Sequence, residues 1–336
     1  MVMKGFLTAA GILVLASCYN PTIHSVTASC GVTKLRVSDN SVAGILTDIP
    51  EGRTLLSTGN TQFVIATGAG EMVLVNSTEM AVDTSFTVGF AGGAGYRSMI
   101  MPSSQNIYLT SSAGDLLQID ISELSVANSF SAGQQPEVLA KLPYSGEFFY
   151  VSDGTSTRIS EFRTLNNSIV RESEPLGSPP AALAAESFAN SYLIAVTGDE
   201  AGLCGILNIG TFHFERVMMG YPCSDAAAFP AESIWAVTHP MWNAESGMVS
   251  ICTNFSLPEI EPVAVSGHPM KICSVPGTTL FYLLSYKAGG ESSVISINYL
   301  TGQVESETVI SGFPWDITSH GNGEFILALT SELPEG

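Results

Sequence analysis

Ionisable and aromatic residues closely follow a tripeptide, Gly-x-Pro, that recurs along the chain. The clear copies end at Pro179, Pro222, Pro269 and Pro314, and looser forms end at Gly95 and Pro136. The residues of interest after these segments are Arg97, Glu137, Asp225, Lys271, Trp315 and Asp316. Carboxylates brought together could hold a cation, and a lysine beside them could orient an anionic group. These six positions are a candidate ligand rim; the alternative is that Gly and Pro shape turns and the charges are merely solvated.

The loop segment His239–Gly247 is a second candidate, because it places Trp242 among polar residues. An exposed tryptophan on a loop often marks an interface, although the ring could instead fold back over apolar surface. In a chain with 12 Lys and Arg, Lys271 and Lys287 are expected to form a local positive spot. We therefore predict that a protein or small ligand binds at this part of the rim.

Patterns for catalysis, metal binding or cofactor binding are absent from the sequence. The five histidines have no ligand-type spacing, no Cys-x-x-Cys pair occurs, and no Gly-x-Ser-x-Gly nucleophile motif is present. No glycine-rich loop opens a helix, so nucleotide binding has no support. We predict no catalytic residues, no metal site and no cofactor.

An internal repeat defines the strands and loops that must position these residues. A short apolar run ending in Ser or Thr recurs every 41 to 47 residues and ends at Thr67, Thr110, Ser152, Thr197, Thr238, Ser285 and Thr330. The Gly-x-Pro segments keep the same register. Each unit reads as four short strands, and no window has the length and periodicity of a helix. The sequence therefore predicts an all-β fold, a seven-bladed β-propeller.

The seventh unit contains only its first two strands. Residues 33–50, before the first complete unit, match the second half of a unit such as Leu116–Gly133. We expect these N-terminal strands to complete the last blade and close the ring. In such blades the link to the next blade lies on the same face as the loop between strands two and three. The Gly-x-Pro segments and the Trp242 loop should therefore share one rim, centred on blades 5 to 7.

The segment FYVSDGTSTRISEF, followed by GSPPAAL, resembles the YVTN repeat of bacterial surface and lactonase-like seven-bladed propellers. The resemblance covers roughly residues 33–330, but no copy reads YVTN in full and two units lack the proline. It implies the propeller fold. It also implies a lactonase-like alternative, with a calcium site at the channel mouth drawn from Glu137, Asp225 and Asp316.

Composition limits the classes of partner. The net charge is −19 and only 13% of residues are charged, so nucleic acid and anionic membrane surfaces are excluded as electrostatic partners. The 45% hydrophobic content is too high for a disordered chain.

The first eighteen residues, MVMKGFLTAAGILVLASC, have the features of an export signal. Lys4 precedes an apolar run too short to span a membrane. The ending resembles the bacterial lipobox, in which the cysteine is acylated; the alternative is an ordinary signal with a chance Cys18. We predict a lipoprotein signal peptide at 1–17, a lipid-anchored tether at 18–32 and the propeller at 33–336. Tyr19 after the cysteine implies, by the same resemblance, an extracytoplasmic place on the outer membrane or cell surface.

Five cysteines follow the lipobox. Cys204 and Cys252 fall on third strands, and Cys223 and Cys273 on the first strands of the blades that follow. Cys204 and Cys223 are both expected near the rim, and Cys252 and Cys273 both deeper in the ring. This match in depth suggests the disulfides 204–223 and 252–273 in an oxidising compartment. Facing sheets lie about 10 Å apart, whereas a disulfide needs Cα atoms within ~7 Å, so buried free thiols are the alternative. Cys30 is left over in the tether.

These features favour one function class over another. The leading hypothesis is a non-catalytic binding or scaffold module at the cell envelope, joined to the membrane through Cys18. The alternative is the lactonase-like hydrolase with its site at the mouth of the channel.

Overall fold

The structure, a computed structural model, describes residues 29–88, 96–103, 105–111, 114–142, 145–185, 192–229 and 233–331. These ranges contain β-strands, turns and connecting segments. No helix in them is long and apolar enough to cross a membrane. The predicted signal peptide and Cys18 lie outside the described residues.

Six sheets are each built from four consecutive strands, paired antiparallel in chain order. Blades 1 to 3 contain β3 (Gly52–Ser57), β4 (Gln62–Thr67), β5 (Glu71–Asn76), β6 (Ala81–Thr87), β7 (Tyr96–Ile100), β8 (Asn106–Ser111), β9 (Leu116–Asp120), β10 (Ser125–Phe130), β11 (Pro136–Lys141), β12 (Phe148–Asp153), β13 (Ile159–Arg163) and β14 (Ser168–Glu172). Blades 4 to 6 contain β15 (Pro180–Ala185), β16 (Tyr192–Thr197), β17 (Leu203–Asn208), β18 (His213–Met218), β19 (Asp225–Ala228), β20 (Ile234–His239), β21 (Ser246–Thr253), β22 (Glu259–Ser266), β23 (His268–Ser274), β24 (Leu280–Lys287), β25 (Glu291–Asn298) and β26 (Gln303–Ser311).

The seventh blade combines both ends of the chain, as the sequence predicts. Its strands are β1 (Ser29–Arg36), β2 (Val42–Pro50), β27 (Phe313–His320) and β28 (Phe325–Ser331). Their order in the sheet is β2-β1-β28-β27, so β1 is hydrogen-bonded on both sides. Because β1 begins at Ser29, residues 29–32 belong to the closing blade, although the sequence assigned them to the tether. The predicted fold, a closed seven-bladed β-propeller, is confirmed.

The first strands of the blades form a closed inner ring, in which each packs against the first strands of both neighbours. The second strands are buried on both faces, as in β16, because each is sandwiched between adjacent blades. Fourth strands such as β10 are mostly exposed. Within the described residues the apolar core forms seven clusters, one between each pair of neighbouring blades. Packing between blades therefore holds the ring.

Most inner strands begin with a break in pairing register beside the Gly-x-Pro segment. In β23 the register shifts between Pro269 and Lys271. Gly267 has a φ of +68°, a region that glycine adopts without steric penalty, and a Cβ there would lie 2.3 Å from the Tyr286 carbonyl oxygen. The motif therefore fixes a tight approach of the link to the second strand, and the bulge redirects the first side chains of the inner strand.

Polar groups at the interface between blades 7 and 1 are buried and paired. Nδ1 of His320 lies 2.8 Å from Oγ of Ser57, and Nε2 lies 2.7 Å from Oγ of Ser77. Nζ of Lys34 donates to the Ser77 carbonyl oxygen at 2.7 Å. Burial, with a smaller effect of the Lys34 charge, lowers the pKa of His320 to about 4, so the ring is neutral near pH 7. One ring nitrogen then donates and the other accepts, and the two hydroxyls match either arrangement.

Replacing Val32 by alanine should destabilise the whole ring. Val32 is fully buried and pairs with Leu329 on one side and Leu46 on the other. A cavity at this position costs about 2 kcal/mol of unfolding free energy. The matched control is Ile45→Ala on β2, which is 58% exposed and should change the unfolding free energy by less than about 0.5 kcal/mol. Urea denaturation measures both; equal effects would show that the closing blade does not carry the stability of the ring.

Acid should weaken the ring through His320. Its pKa is about 4 in the folded protein against 6.5 as its ordinary value, so the unfolded state binds the extra proton between these pH values. This contribution is fully present above about pH 6.5 and is lost as the pH falls toward about 4, by up to about 3 kcal/mol. His320→Gln should remove this part of the pH dependence in urea titrations, whereas the exposed His213→Gln should keep it. An unchanged slope in His320→Gln would contradict the assignment.

Candidate functional site

The residues predicted after the Gly-x-Pro segments do not form one ring of charges. Arg97 on β7 forms an ion pair with Glu137 on β11. Beside it, the Thr110 hydroxyl donates to the Glu137 carbonyl oxygen at 2.5 Å. These contacts tie blade 2 to blade 3. Because each charge is neutralised by its partner, this side of the rim offers little net charge to a ligand.

The other three charged residues meet on blades 5 to 7. Lys271 on β23 stabilises the carboxylates of both Asp225 and Asp316. A carboxylate oxygen of Asp225 accepts the N–H of Ile272 at 3.0 Å, and one of Asp316 accepts the N–H of Leu55 at 2.8 Å. Each aspartate thus links its own inner strand to the inner strand of the next blade. The group is two carboxyls around one ammonium.

Burial raises the pKa of Asp225 and of Asp316, although the Lys271 charge and the backbone donors act in the opposite direction. Solvent reaches part of both side chains, but protein atoms surround them on most sides. Burial likewise raises the pKa of the Cys273 thiol, with a smaller effect from the two aspartates. The group is therefore compact and poorly solvated.

The lactonase-like alternative requires carboxylates that can hold calcium or activate water. One oxygen of Asp316 accepts from both the Leu55 N–H and the Thr54 hydroxyl, at 2.8 and 2.9 Å. Glu137 is paired with an arginine. Within the ranges that the structure describes, no three His, Cys, Asp or Glu side chains form a group that could hold a metal ion. These acids therefore form contacts between neighbouring blades, and the geometry does not favour the lactonase-like alternative.

Trp242 lies on the loop between β20 and β21 with 45% of its surface exposed. Its ring centroid is 4.7 Å from that of His268 and 6.2 Å from that of Tyr286. Nδ1 of His268 lies 2.7 Å from the Pro240 carbonyl oxygen, which can only accept, so Nδ1 carries the hydrogen. The indole is therefore supported on one side and open to solvent on the other.

Ring contacts continue from blade 6 to blade 7 and on to blade 1. The centroids of Tyr286 and Phe313 are 5.3 Å apart, and those of Phe313 and Trp315 are 5.8 Å apart. The guanidinium of Arg53 lies 4.2 Å from the Trp315 ring centroid. We call the following residues the rim aromatic chain: Trp242, His268, Tyr286, Phe313 and Trp315.

Trp315, one of the six rim positions, is half-buried. It packs against the apolar cluster between blades 7 and 1. Its indole N–H is buried and has no acceptor in the part of the chain that the structure describes. A buried donor without a partner typically costs about 1–3 kcal/mol. The half-buried ring therefore serves the packing between blades as well as the rim.

The predicted positive spot of Lys271 and Lys287 is wrong. Lys287 forms an ion pair with Glu307 on β26. The same carboxylate accepts from the hydroxyls of Ser266 and Ser293, each at 2.8 Å. Since Lys271 also faces two aspartates, neither lysine leaves a net positive charge on the rim.

The four cysteines considered for disulfides carry free thiols. Cys252 belongs to the cluster between blades 4 and 5, whereas Cys273 packs against the cluster between blades 6 and 7. The predicted 252–273 pair is therefore not brought together. Cys204 and Cys223 share the cluster between blades 4 and 5 and lie close enough to shift each other's pKa. The predicted 204–223 bond is absent, but the two thiols are neighbours in one cluster.

Sequence reasoning missed three members of the rim aromatic chain. His268 and Phe313 are the middle residues of two Gly-x-Pro segments, and Tyr286 follows the Ser that ends the second strand of its repeat. Tyr221, the middle residue of another copy, is 44% exposed. The sequence signal that could have identified these residues is the aromatic side chain at the middle position of Gly-x-Pro, a position that varies between copies of the motif.

Comparisons with known proteins bear on the fold. No protein-family model matches the chain, and no curated protein matches it by sequence. Among solved structures, a chain of hydrazine synthase from Kuenenia stuttgartiensis superimposes with a TM-score of 0.73. The two chains are 14% identical, and the match covers 86% of this chain and 97% of the other. At this identity the likeness shows a shared fold alone: the chain is a seven-bladed β-propeller.

Proposed function

We propose that this protein is a non-catalytic binding propeller of the cell envelope, related to the YVTN-repeat propellers, that takes a protein partner on the rim aromatic chain. One observation carries the proposal. Ring contacts run from blade 5 to blade 7 and end in the exposed Trp242. Aromatic side chains are enriched at interface centres because they offer large apolar area with few rotatable bonds.

The rim aromatic chain is largely held by strands. Phe313 and Trp315 belong to β27, His268 to β23 and Tyr286 to β24. Each ring also contacts at least one other ring of the set, so the side chains lose little rotamer freedom when a partner binds. Preorganisation of this kind favours affinity because fewer groups must be ordered on binding.

Charge favours a basic partner. The chain carries a net charge of −19; Glu200 and Glu245 are exposed on loops of the same rim, and Glu291 is exposed at the start of β25. The nearest lysines already face carboxylates. A partner segment with apolar side chains flanked by Lys or Arg would match both the rings and the surrounding acids, and the charges would speed its association.

The position of β1 relates the rim to the proposed membrane anchor at Cys18. Cys30 pairs with Ser331, and Ser331 pairs with Phe313 of the rim aromatic chain. The chain therefore enters blade 7 on the rim side. Ser29 lies 11 residues after Cys18, a span of at most about 40 Å when fully extended. With Cys18 acylated, the rim stays within this reach of the membrane, which favours a partner in or near the same membrane.

A photo-crosslinking amino acid at Asn243, beside Trp242, should capture the partner in intact cells. Introducing Trp242→Ala should then lower the yield of the adduct by about tenfold or more, the effect of losing a central interface aromatic. The melting temperature should change little because the ring is half exposed. Adduct bands and thermal melts measure the two effects.

The matched control is the same crosslinker at Leu165, which is 77% exposed on a turn of the opposite face. It should give no such adduct, and Leu165→Ala should leave the Asn243 adduct unchanged. An Asn243 adduct that survives Trp242→Ala, or a partner captured equally from Leu165, would show that the rim aromatic chain is not the binding surface.

Cys18→Ala should abolish incorporation of a fatty-acid analogue and release the protein from the membrane fraction, since the thiol is the proposed acyl acceptor. Cys30→Ala is the control and should keep both the label and the membrane location. Equal labelling of Cys18→Ala and the unmodified protein would contradict anchoring through this residue.

A further inference from the structure

The link between blades 4 and 5 brings two cysteines together. Cys204 is the second residue of β17, and Cys223 lies in the link before β19. The N–H of Met219 donates to the Gly202 carbonyl oxygen at 2.9 Å. At Gly202 a Cβ would lie 1.8 Å from the Tyr221 carbonyl oxygen, so only glycine allows this approach. Cys204 lies two residues after Gly202 and Cys223 two residues after Tyr221, and both side chains pack in the cluster between blades 4 and 5.

The Cys223 sulfur lies between a histidine ring and the Tyr221 carbonyl oxygen, to which the protonated thiol donates at 3.4 Å. Both side chains are fully buried in the cluster between blades 4 and 5, close enough for each to shift the pKa of the other. Nδ1 of His239 lies 3.1 Å from the Pro222 carbonyl oxygen and 3.8 Å from Cys223 Sγ. A carbonyl oxygen can only accept, so Nδ1 carries the hydrogen, and Nε2 accepts from the Ser250 hydroxyl at 2.9 Å. The imidazole therefore presents its N–H beside Cys223 Sγ.

This arrangement favours a thiolate at Cys223 and a protonated thiol at Cys204. The Cys204 thiol, and after it the His239 ring, lower the pKa of Cys223 to about 6 against the opposing effect of burial. The pKa of Cys204 is raised, because its proton is held by Cys223 and burial disfavours its thiolate. Thiolates are the nucleophiles of sulfur oxidation. The arrangement therefore favours Cys223 as the attacking sulfur and Cys204 as the sulfur that keeps its proton.

The other cysteines whose side chains are described lack these partners. Burial raises the pKa of both Cys252 and Cys273. The Cys252 thiol donates only a long contact, 3.9 Å, to the Ser250 carbonyl oxygen, and Cys273 lies on blade 6. Cys252 is buried in the same cluster as the pair, whereas Cys273 is only partly buried and lies in another blade, so the two serve as a near and a distant internal control.

We propose that Cys204 and Cys223 form an oxidisable pair that a small hydroperoxide converts into a disulfide. The Cys223 thiolate attacks one peroxide oxygen, the O–O bond breaks and hydroxide leaves, which gives a sulfenic acid. The Cys204 sulfur then attacks this sulfur; its proton goes to the departing oxygen, and water is released. The two sulfurs together lose two electrons, which the peroxide takes up.

The disulfide would join the third strand of blade 4 to the link that leads into blade 5. It would close a loop of 20 residues and restrain Tyr221, whose ring lies 6.0 Å from that of His239. His239 leads directly into the loop that carries Trp242. Oxidation would therefore stiffen one end of the rim, but the pair does not depend on a partner or on the proposed function.

Peroxide treatment of the full chain near neutral pH, followed by digestion without reduction and mass spectrometry, tests the pairing. We expect one joined peptide containing Cys204 and Cys223, and a rise in melting temperature of about 5 °C that dithiothreitol reverses. Cys252→Ser and Cys273→Ser should form the same bond. Absence of the joined peptide, or a bond from either sulfur to Cys252, would overturn the proposal.

The order of attack is tested with dimedone, which traps sulfenic acids. In Cys204→Ser, peroxide should leave a dimedone adduct on Cys223, because no second thiol can resolve it. In Cys223→Ser, Cys204 should gain no more adduct than Cys252. An adduct on Cys204 and none on Cys223 would overturn the assignment of the nucleophile. The peptide map needs only the unmodified chain, so the pairing is decided even where a serine variant does not fold.

Discussion

Closure of the ring through β1 is the interaction on which the rest of the structure depends. This strand lies between β28 and β2 and is paired on both sides. Without it, β28 would present an unpaired edge, and the first and last inner strands would have no fixed relation. The contact of Val32 with Leu329 joins residues about 300 positions apart. The loop-closure entropy of such a contact is offset only when the intervening blades are in place, so the ring is stable only as a whole.

Closure also explains why charged side chains at the inner ring are not free. Asp225 and Asp316 each accept an N–H from the next blade, and Ser98 Oγ accepts the N–H of Leu139 at 3.0 Å in the same way. Inner strands of neighbouring blades belong to different sheets, so a backbone donor that faces the next blade needs a side-chain acceptor. Residues that look like ligand groups in the sequence therefore first satisfy the backbone of the ring.

The fold could be predicted because the repeat spacing is a property of the linear sequence. The Ser or Thr that ends each second strand and the Gly-x-Pro segments recur together, and the direction of the strands decides which loops share a face. Side-chain pairing could not be predicted in this way. Lys287 pairs with Glu307 within one blade and Arg97 with Glu137 across two, and these choices depend on where bulges direct each side chain. The neighbourhood of Cys204 and Cys223 was suggested by their matching depth, and the spacing of sheets did not exclude it because Cys223 lies in a link that runs between sheets.

The middle residue of each Gly-x-Pro segment determines which side chain the repeat places on the rim. Its glycine has a positive φ and its proline fixes the backbone on the other side, so the side chain between them is held on a rigid turn. Three successive copies carry Tyr221, His268 and Phe313, whereas the copy before them carries Ser178. Among the described residues, the aromatic surface therefore lies over blades 5 to 7, and an ion pair joins blades 2 and 3 elsewhere on the ring. A partner that binds through these rings would sit off the channel axis, over blades 5 to 7, and would leave the mouth of the channel uncovered.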